Sequence, residues 1–169
     1  MAEIKMASGL TEGAQLGASV SVKERNKIAD LVTASISQGA ELKLGGKTPD
    51  GDGAFYPPTV LTVAADNEIL KEEIFGPVAV IVTVDSDEQA ITLANDTEYG
   101  LISYIYSADL GRALKVAEAM ESGMVAINKG VISDPAAPFG GFKQSGLGRE
   151  GGFSGIDEFL EIKYIGVKL

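Results

Sequence analysis

Residues 70–84 read LKEEIFGPVAVIVTV, a stretch with two unlike halves. The first half places two adjacent carboxylates, Glu72 and Glu73, and the ring of Phe75 before a Gly-Pro pair that interrupts regular structure. The second half, residues 78–84, is almost wholly apolar, which indicates a buried strand of a parallel sheet. Because open α/β sheets bind ligands beyond their strand ends, this junction is a candidate binding site.

Strand and helix patterns alternate after the junction. Apolar strands are predicted over residues 78–84, 101–106 and 124–127. The intervening helices begin at Ser86, where Gln89 completes a capping box, and at Asp109. Short loops join these elements. We therefore predict an α/β fold, a mostly parallel open sheet with flanking helices, forming one domain over residues 1–169.

The rest of the chain is less regular. Residues 1–20 are glycine-rich without periodic apolarity, which predicts an irregular leader. A capping box at Ser21 begins a helix that Gly39 ends. Residues 55–63 contain two prolines and are predicted to form an edge or connecting segment. Residues 160–169, LEIKYIGVKL, read as a strand that is apolar on both faces, which at a chain end is typical of pairing with another sheet.

The composition argues against several classes of function. Fourteen basic and 24 acidic residues give a net charge of −10, which repels nucleic acid and anionic lipid, so we expect neither partner. No secretory pattern is visible in residues 1–6 and no apolar run approaches the ~18 residues of a membrane span, so we expect a cytoplasmic protein. The sequence has no Cys and no His, so it predicts no metal site and no catalytic residue.

Residues 146–151, GLGREG, match the spacing of the dinucleotide-binding fingerprint G-x-G-x-x-G. That fingerprint binds pyrophosphate only where its glycines join a strand to the N-terminus of a helix. The preceding residues, FGGFKQS, do not read as a strand. The favoured interpretation is that these glycines let a long loop pack tightly.

Two further candidates stay open on residue chemistry alone. Neighbouring side chains of an extended segment point to opposite faces, so Glu72 and Glu73 do not form a catalytic carboxylate pair. A solvated surface charge is favoured over a hydrogen-bond acceptor for a ligand hydroxyl such as that of a ribose. Ser133 lacks a histidine base; it donates a hydrogen bond to a substrate or caps a turn.

Three longer motifs resemble the C-terminal third of the aldehyde dehydrogenases. They are EEIFGP at residues 72–77, NDTEYGL at 95–101 and PFGGFKQSGLGRE at 138–150. Within that family, GVIS at residues 130–133 and GIDEFLEIKY at 155–164 most resemble succinate-semialdehyde dehydrogenases. The resemblance covers nearly the whole chain and implies an incomplete aldehyde dehydrogenase catalytic domain.

The resemblance also implies roles for individual residues. Glu73 corresponds to the carboxylate that binds the nicotinamide-side ribose of NAD or NADP, and Phe75 to a ring beside that cofactor. Ser133 corresponds to a hydrogen-bond donor to the substrate carboxylate, and Phe139 to an aromatic wall of the aldehyde tunnel. Residues 160–169, from Leu160 to Leu169, correspond to a strand that pairs subunits, which implies a homo-oligomer.

Family chemistry needs a Cys thiolate, a Glu base, an oxyanion-binding Asn and a Rossmann domain, and the resemblance places all four before Met1. We therefore expect the C-terminal segment of an NAD(P)-dependent enzyme that oxidises a small aldehyde, succinate semialdehyde, to succinate. Alone, the chain is expected to be inactive and to bind no cofactor. The alternative is a non-catalytic α/β module that self-associates or binds a partner.

Overall fold

The computed structural model describes residues 1–51 and 53–169. They form two compact units, Met1–Val84 and Asp85–Leu169. Each unit combines helices with strands, so the predicted α/β class is confirmed. The assignment of residues 1–169 to one domain stays a prediction, and the two units are described in turn.

The first unit packs one helix against a three-stranded sheet. Its helix α1 is Val22–Ser37, its strands are β1 Glu41–Leu44, β2 Thr59–Thr62 and β3 Val78–Ile81, and a short 3-10 helix is Glu68–Lys71. The strand order is β1-β2-β3, with β1 antiparallel and β3 parallel to β2. As predicted, the hydroxyl of Ser21 caps α1 by accepting a hydrogen bond from the Glu24 amide at 3.2 Å.

The core of this unit lies between α1 and the sheet. Its buried apolar side chains are Ile28, Val32, Ala40, Tyr56, Leu61, Val63 and Ile69. Leu61 and Val32 are fully buried, and Ile28 is 1% exposed. Ile74 and Val78, on either side of the Gly-Pro pair, pack against the same core. The candidate junction is therefore attached to the centre of the unit at both ends.

The prediction that residues 55–63 form an edge or connecting segment is wrong, because β2 is the central strand of its sheet. Both prolines precede the strand, where their missing N–H groups cost no ladder hydrogen bond. The first strand residue, Thr59, donates its amide to Pro77 O at 2.8 Å. Two prolines are thus compatible with a central strand when they stand just before it.

The second unit contains a strand–helix–strand arrangement. Its helices are α2 Asp87–Asn95 and α3 Leu110–Ala119, its strands are β4 Tyr99–Gly100, β5 Ile102–Ile105, β6 Met124–Ile127 and β7 Phe142–Lys143, and a second 3-10 helix is Ser154–Phe159. Strands β5 and β6 pair in parallel and α3 connects them; β4 and β7 pair antiparallel. The strands predicted at residues 78–84, 101–106 and 124–127 are present as β3, β5 and β6.

An exposed ion pair links the two helices of this unit. Arg112 donates from Nε to Asp87 Oδ2 at 2.7 Å and from Nη2 to Oδ1 at 2.5 Å. These hydrogen bonds lower the pKa of the Asp87 carboxyl below its usual value. Because both groups are solvated, the pair adds little to stability.

Residues 160–169 form neither helix nor strand, and their side chains are exposed. The pairing predicted for them would involve a second chain. Among the described residues, none of the helices has the length and apolarity needed to cross a bilayer.

Candidate functional site

The segment from Glu72 to Pro77 joins the first 3-10 helix to β3 and is held at both ends. The Glu72 amide donates to Ile69 O at 3.4 Å, and Pro77 O accepts the Thr59 amide at 2.8 Å. Between these points Ile74 packs into the core. The flanking side chains of Glu73 and Phe75 are exposed, and Phe75 retains 84% of its accessible surface.

Gly76 explains how the segment lies so close to helix α1. A Cβ built on Gly76 would lie 2.6 Å from Ile28 Cδ1 and 2.9 Å from its Cγ1. Since Ile28 is buried and cannot move aside freely, any larger residue would push the segment away from the helix. The absence of a side chain at Gly76 thus sets the position of the residues before it.

Phe75 adopts a backbone conformation that side chains disfavour. Its φ is +46°, in the left-handed region, which costs a residue with a Cβ about 1–2 kcal/mol. The contacts of Ile74 and Gly76 with the core impose this angle from both sides. Strained backbone of this kind clusters at functional sites, so Phe75 stays a candidate ligand-binding residue.

A buried polar pair anchors the 3-10 helix that precedes the segment. Ser35 Oγ donates to Asn67 Oδ1 at 3.0 Å, and Asn67 Nδ2 donates to Ser35 O at 3.3 Å. The same Asn67 oxygen accepts the Ile69 amide at 3.2 Å and so caps the helix. Ser35 and Asn67 are 1% and 5% exposed. Sequence reasoning missed this pair, because 32 residues separate its members and the only local signal was an Asn before a short apolar turn.

The other two predicted site residues lie in the second unit. Ser133 is exposed in the irregular stretch that follows β6. Two roles were considered for Ser133, a bond to the substrate and the capping of a turn. The next turn is capped by Asp134 instead, whose Oδ1 accepts the Ala136 amide at 2.9 Å. Phe139 is half-buried, and its amide and carbonyl pair with those of Glu150 at 2.7 and 2.9 Å. The ligand roles of Ser133 and Phe139 stay predictions.

Asn128 clamps the carboxyl ends of β5 and β6, the end of a parallel pair at which ligands bind. Its Nδ2 donates to Ser107 O at 2.8 Å, and its Oδ1 accepts the Ser107 amide at 2.9 Å. Its own amide donates to Ile105 O at 2.8 Å, and its φ is +53°. This clamp sets the direction in which the chain leaves β6 toward Ser133, and sequence reasoning did not identify it.

The NDTEYGL and GGFKQSG motifs meet around the ends of the two helices. Asn95 Nδ2 donates to Ala119 O, the last carbonyl of α3, at 2.9 Å. Lys143 Nζ donates to Asn95 O, the last of α2, at 2.8 Å and to Thr97 O at 3.1 Å. Lys143 also pairs with Glu121 at 2.6 Å. The Asn95 side chain thus supplies a donor to the last carbonyl of α3, and Lys143 adds a second donor to Asn95 O, which also accepts the Thr97 amide at 2.9 Å.

Two of the glycines of residues 146–151, Gly148 and Gly151, pack closely, as the sequence favoured, whereas Gly146 has open space where a Cβ would stand. All three lie between β7 and a 3-10 helix and have positive φ. A Cβ on Gly148 would lie 2.5 Å from the Glu158 carboxylate, and one on Gly151 would lie 2.8 Å from Ala137 O. The residues of this loop do not join a strand to the N-terminus of an α-helix. Across residues 1–51 and 53–169, no group of three or more His, Cys, Asp or Glu could hold a metal ion.

Comparison with known proteins links this geometry to a family. Residues 1–165 match the model of the family described as "Aldehyde dehydrogenase family". A succinate-semialdehyde dehydrogenase of Paenarthrobacter nicotinovorans is 49% identical over 168 residues, which are 99% of this chain and 37% of that protein.

Two solved structures are similar over almost the whole chain. The succinate-semialdehyde dehydrogenase of Burkholderia pseudomallei superposes with a TM-score of 0.90 at 46% identity, covering 97% of this chain and 34% of that one. A betaine aldehyde dehydrogenase variant of Staphylococcus aureus, solved in complex with NAD⁺, superposes with a TM-score of 0.90 at 39% identity, covering 97% and 34%. The chain thus spans about a third of the length of the relatives that it matches.

The strain at Phe75 predicts an inverted ranking of two substitutions. At an ordinary exposed position, glycine is less stable than alanine by about 0.4–1 kcal/mol. At Phe75 the left-handed φ penalises the Cβ by about 1–2 kcal/mol, so Phe75→Gly should equal or exceed Phe75→Ala in free energy of unfolding. Urea denaturation of both variants measures the difference. Val20, 91% exposed and outside the positive-φ set, is the matched control, where glycine should be the less stable variant. The same ranking at both positions would contradict the strain.

Proposed function

The chain belongs to the aldehyde dehydrogenase family, and we propose that it supplies one wall of the active site of an NAD(P)-dependent enzyme that oxidises succinate semialdehyde to succinate. The observation that carries this proposal is the segment before β3, held at both ends, which exposes the carboxylate of Glu73 and, two residues later, a strained aromatic ring. The similarity to succinate-semialdehyde dehydrogenases supports the choice of substrate.

In this proposal Glu73 and Phe75 orient the dinucleotide. The Glu73 carboxylate accepts hydrogen bonds from the ribose hydroxyls, and the ring of Phe75 packs beside the cofactor. The residues fit this role because Gly76 holds the backbone on Ile28, so the site is preorganised before a ligand arrives. The bound dinucleotide supplies hydride acceptance, and these side chains supply its orientation. The NAD⁺ complex of the related betaine aldehyde dehydrogenase supports a dinucleotide of this kind.

Ser133 and Phe139 recognise the aldehyde. Succinate semialdehyde carries a carboxylate at the end opposite its reactive carbon, and the exposed hydroxyl of Ser133 can donate a hydrogen bond to it. Phe139, half-buried and paired through its backbone with Glu150, offers an apolar surface to the carbon chain. The two side chains together would favour a short, acidic aldehyde.

The nucleophile is not among these residues. Oxidation by a thiolate requires a cysteine, and none of the 169 residues is a cysteine. The thiolate, the base and most of the cofactor site must then come from sequence beyond these 169 residues or from another chain. Alone, the chain should neither hold the cofactor nor oxidise the aldehyde.

A hybrid enzyme tests the assigned roles. This chain replaces the matching third of the Paenarthrobacter nicotinovorans succinate-semialdehyde dehydrogenase, to which it is 49% identical. We expect the hybrid to oxidise succinate semialdehyde with NAD or NADP. Glu73→Gln should lower kcat/KM for the dinucleotide by roughly 10- to 100-fold, because it removes the charge from the group that accepts the ribose hydroxyls and turns one of its two acceptor oxygens into a donor. Ser133→Ala should raise KM for succinate semialdehyde while leaving KM for the dinucleotide unchanged.

Glu72→Gln is the matched control, since it makes the same exchange at the adjacent exposed carboxylate. It should leave dinucleotide kinetics within about twofold, the effect expected of a solvated surface charge. Equal effects at Glu72 and Glu73 would contradict the ribose role. A folded hybrid without activity would contradict the proposal as a whole.

A second candidate function, self-association through residues 160–169, rests on their exposure. Ile162 is 102% exposed and Tyr164 is 91% exposed, in a stretch without helix or strand. Apolar side chains in an extended segment are suited to adding a strand to the sheet of another copy. The segment would then become ordered on pairing.

Light scattering after size-exclusion chromatography tests this pairing. A chain that ends at Phe159 should form particles with fewer copies than the 169-residue chain, because the pairing segment is absent. The 169-residue chain with Ile162→Lys and Tyr164→Lys is the control, and it should behave like the shortened chain. An unchanged number of copies per particle in both variants would rule out pairing through residues 160–169.

A further inference from the structure

Backbone hydrogen bonds between Phe139 and Glu150 close the loop that carries Phe139, and the Gly152 amide donates to Pro135 O at 3.0 Å just outside this pair. Phe139 donates its amide to Glu150 O at 2.7 Å, and Glu150 donates its amide to Phe139 O at 2.9 Å. This pairing brings Arg149 alongside the residues that follow Phe139. The loop is glycine-rich, so its backbone would have many conformations unless other contacts restricted it.

Arg149 contacts each of the three residues after Phe139. Its Nη1 donates to Gly141 O at 3.0 Å and, on its own side of the loop, to Gly148 O at 2.6 Å. Its guanidinium carbon lies 5.4 Å from the centroid of the Phe142 ring. A Cβ built on Gly140 would lie 2.8 Å from Arg149 Cδ. One half-buried side chain thus ties the two halves of the loop together.

Residues Gly140 to Phe142, called the strip below, also pack against the backbone of other segments. A Cβ on Gly123, the residue before β6, would lie 2.0 Å from Gly140 O, and one on Gly141 would lie 3.2 Å from Gly100 O. The strip from Gly140 to Phe142 is therefore held between Arg149 and the backbone beside β6. Phe139 directly precedes this strip and its backbone is bonded to Glu150, so holding the strip restricts the backbone of Phe139.

We propose that Arg149 is a positioning residue: it holds the Phe139 wall and thereby sets which aldehydes the site accepts. The second clause rests on the function proposed above. Arg149 bonds both carbonyls through one nitrogen, Nη1, while its planar guanidinium lies over the Phe142 ring; the compact ammonium of lysine lacks that plane. Arg149→Lys keeps the charge and removes that geometry.

Amide hydrogen exchange in the purified chain tests the first clause. In Arg149→Lys the amides of Phe139 and Glu150 should exchange at least tenfold faster, while the Met124 amide, bonded to Leu101 O, should keep its protection. Arg112→Lys makes the same exchange at the exposed ion pair and should leave all three amides unchanged. If Arg149→Lys accelerates exchange throughout the unit, a second variant, Phe142→Leu, tests the inference. This variant removes only the ring beneath Arg149, and it should accelerate amide exchange at Phe139 and Glu150 selectively. Unchanged exchange at Phe139 would overturn the inference.

Aldehyde selectivity in the hybrid enzyme tests the second clause. Arg149→Lys should change the ratio of kcat/KM for benzaldehyde and succinate semialdehyde at least threefold, with KM for the dinucleotide unchanged. Faster exchange at Phe139 without a change in this ratio would overturn the role in selectivity and leave the proposed function standing. An inactive unsubstituted hybrid would overturn the proposed function and the selectivity role with it, while the exchange rates would still decide whether Arg149 holds Phe139.

Discussion

The fold depends on backbone lying directly against its neighbours at positions where no side chain would fit. Gly76 rests on Ile28 in the first unit, and Gly123 rests on the Gly140 carbonyl in the second. Each contact is closer than a Cβ allows, and each lies next to a residue with a proposed ligand role, Phe75 in one case and Phe139 in the other. The glycines therefore do more than permit turns, because they determine how near the candidate binding residues lie to rigid helix and sheet.

In each unit, side chains from distant parts of the chain form hydrogen bonds with one another or with the carbonyls at helix ends. Asn67 and Ser35 join the 3-10 helix to α1, and Lys143 donates to the end of α2. Such bonds stabilise modestly when formed and cost more when broken inside a protein. In the first unit, the Ser35–Asn67 bonds hold the 3-10 helix that precedes Phe75, whose φ is +46°.

Local signals made much of this structure predictable. Each predicted helix begins after its expected cap, since Ser86 accepts the Gln89 amide at 3.2 Å and Asp109 accepts the Arg112 amide at 3.0 Å. What could not be predicted involves partners far apart in sequence. The central strand β2 begins with a hydrogen bond from Thr59 to Pro77, and Lys143 donates to Asn95 O. The angle at Phe75 follows from core contacts on both sides of it, which no local pattern encodes. The ligand roles of Glu73, Phe75, Ser133 and Phe139 came from resemblance, because no local pattern around these four residues indicates a ligand.

The central claim is that these 169 residues build walls of an active site and lack its nucleophile. Aldehyde-dependent formation of NADH or NADPH by the purified chain tests it most directly, with succinate semialdehyde and each dinucleotide at concentrations that saturate the hybrid enzyme. The account predicts absorbance at the level of a reaction without protein. Sustained turnover that scales with chain concentration would contradict it, because oxidation would then proceed without a cysteine.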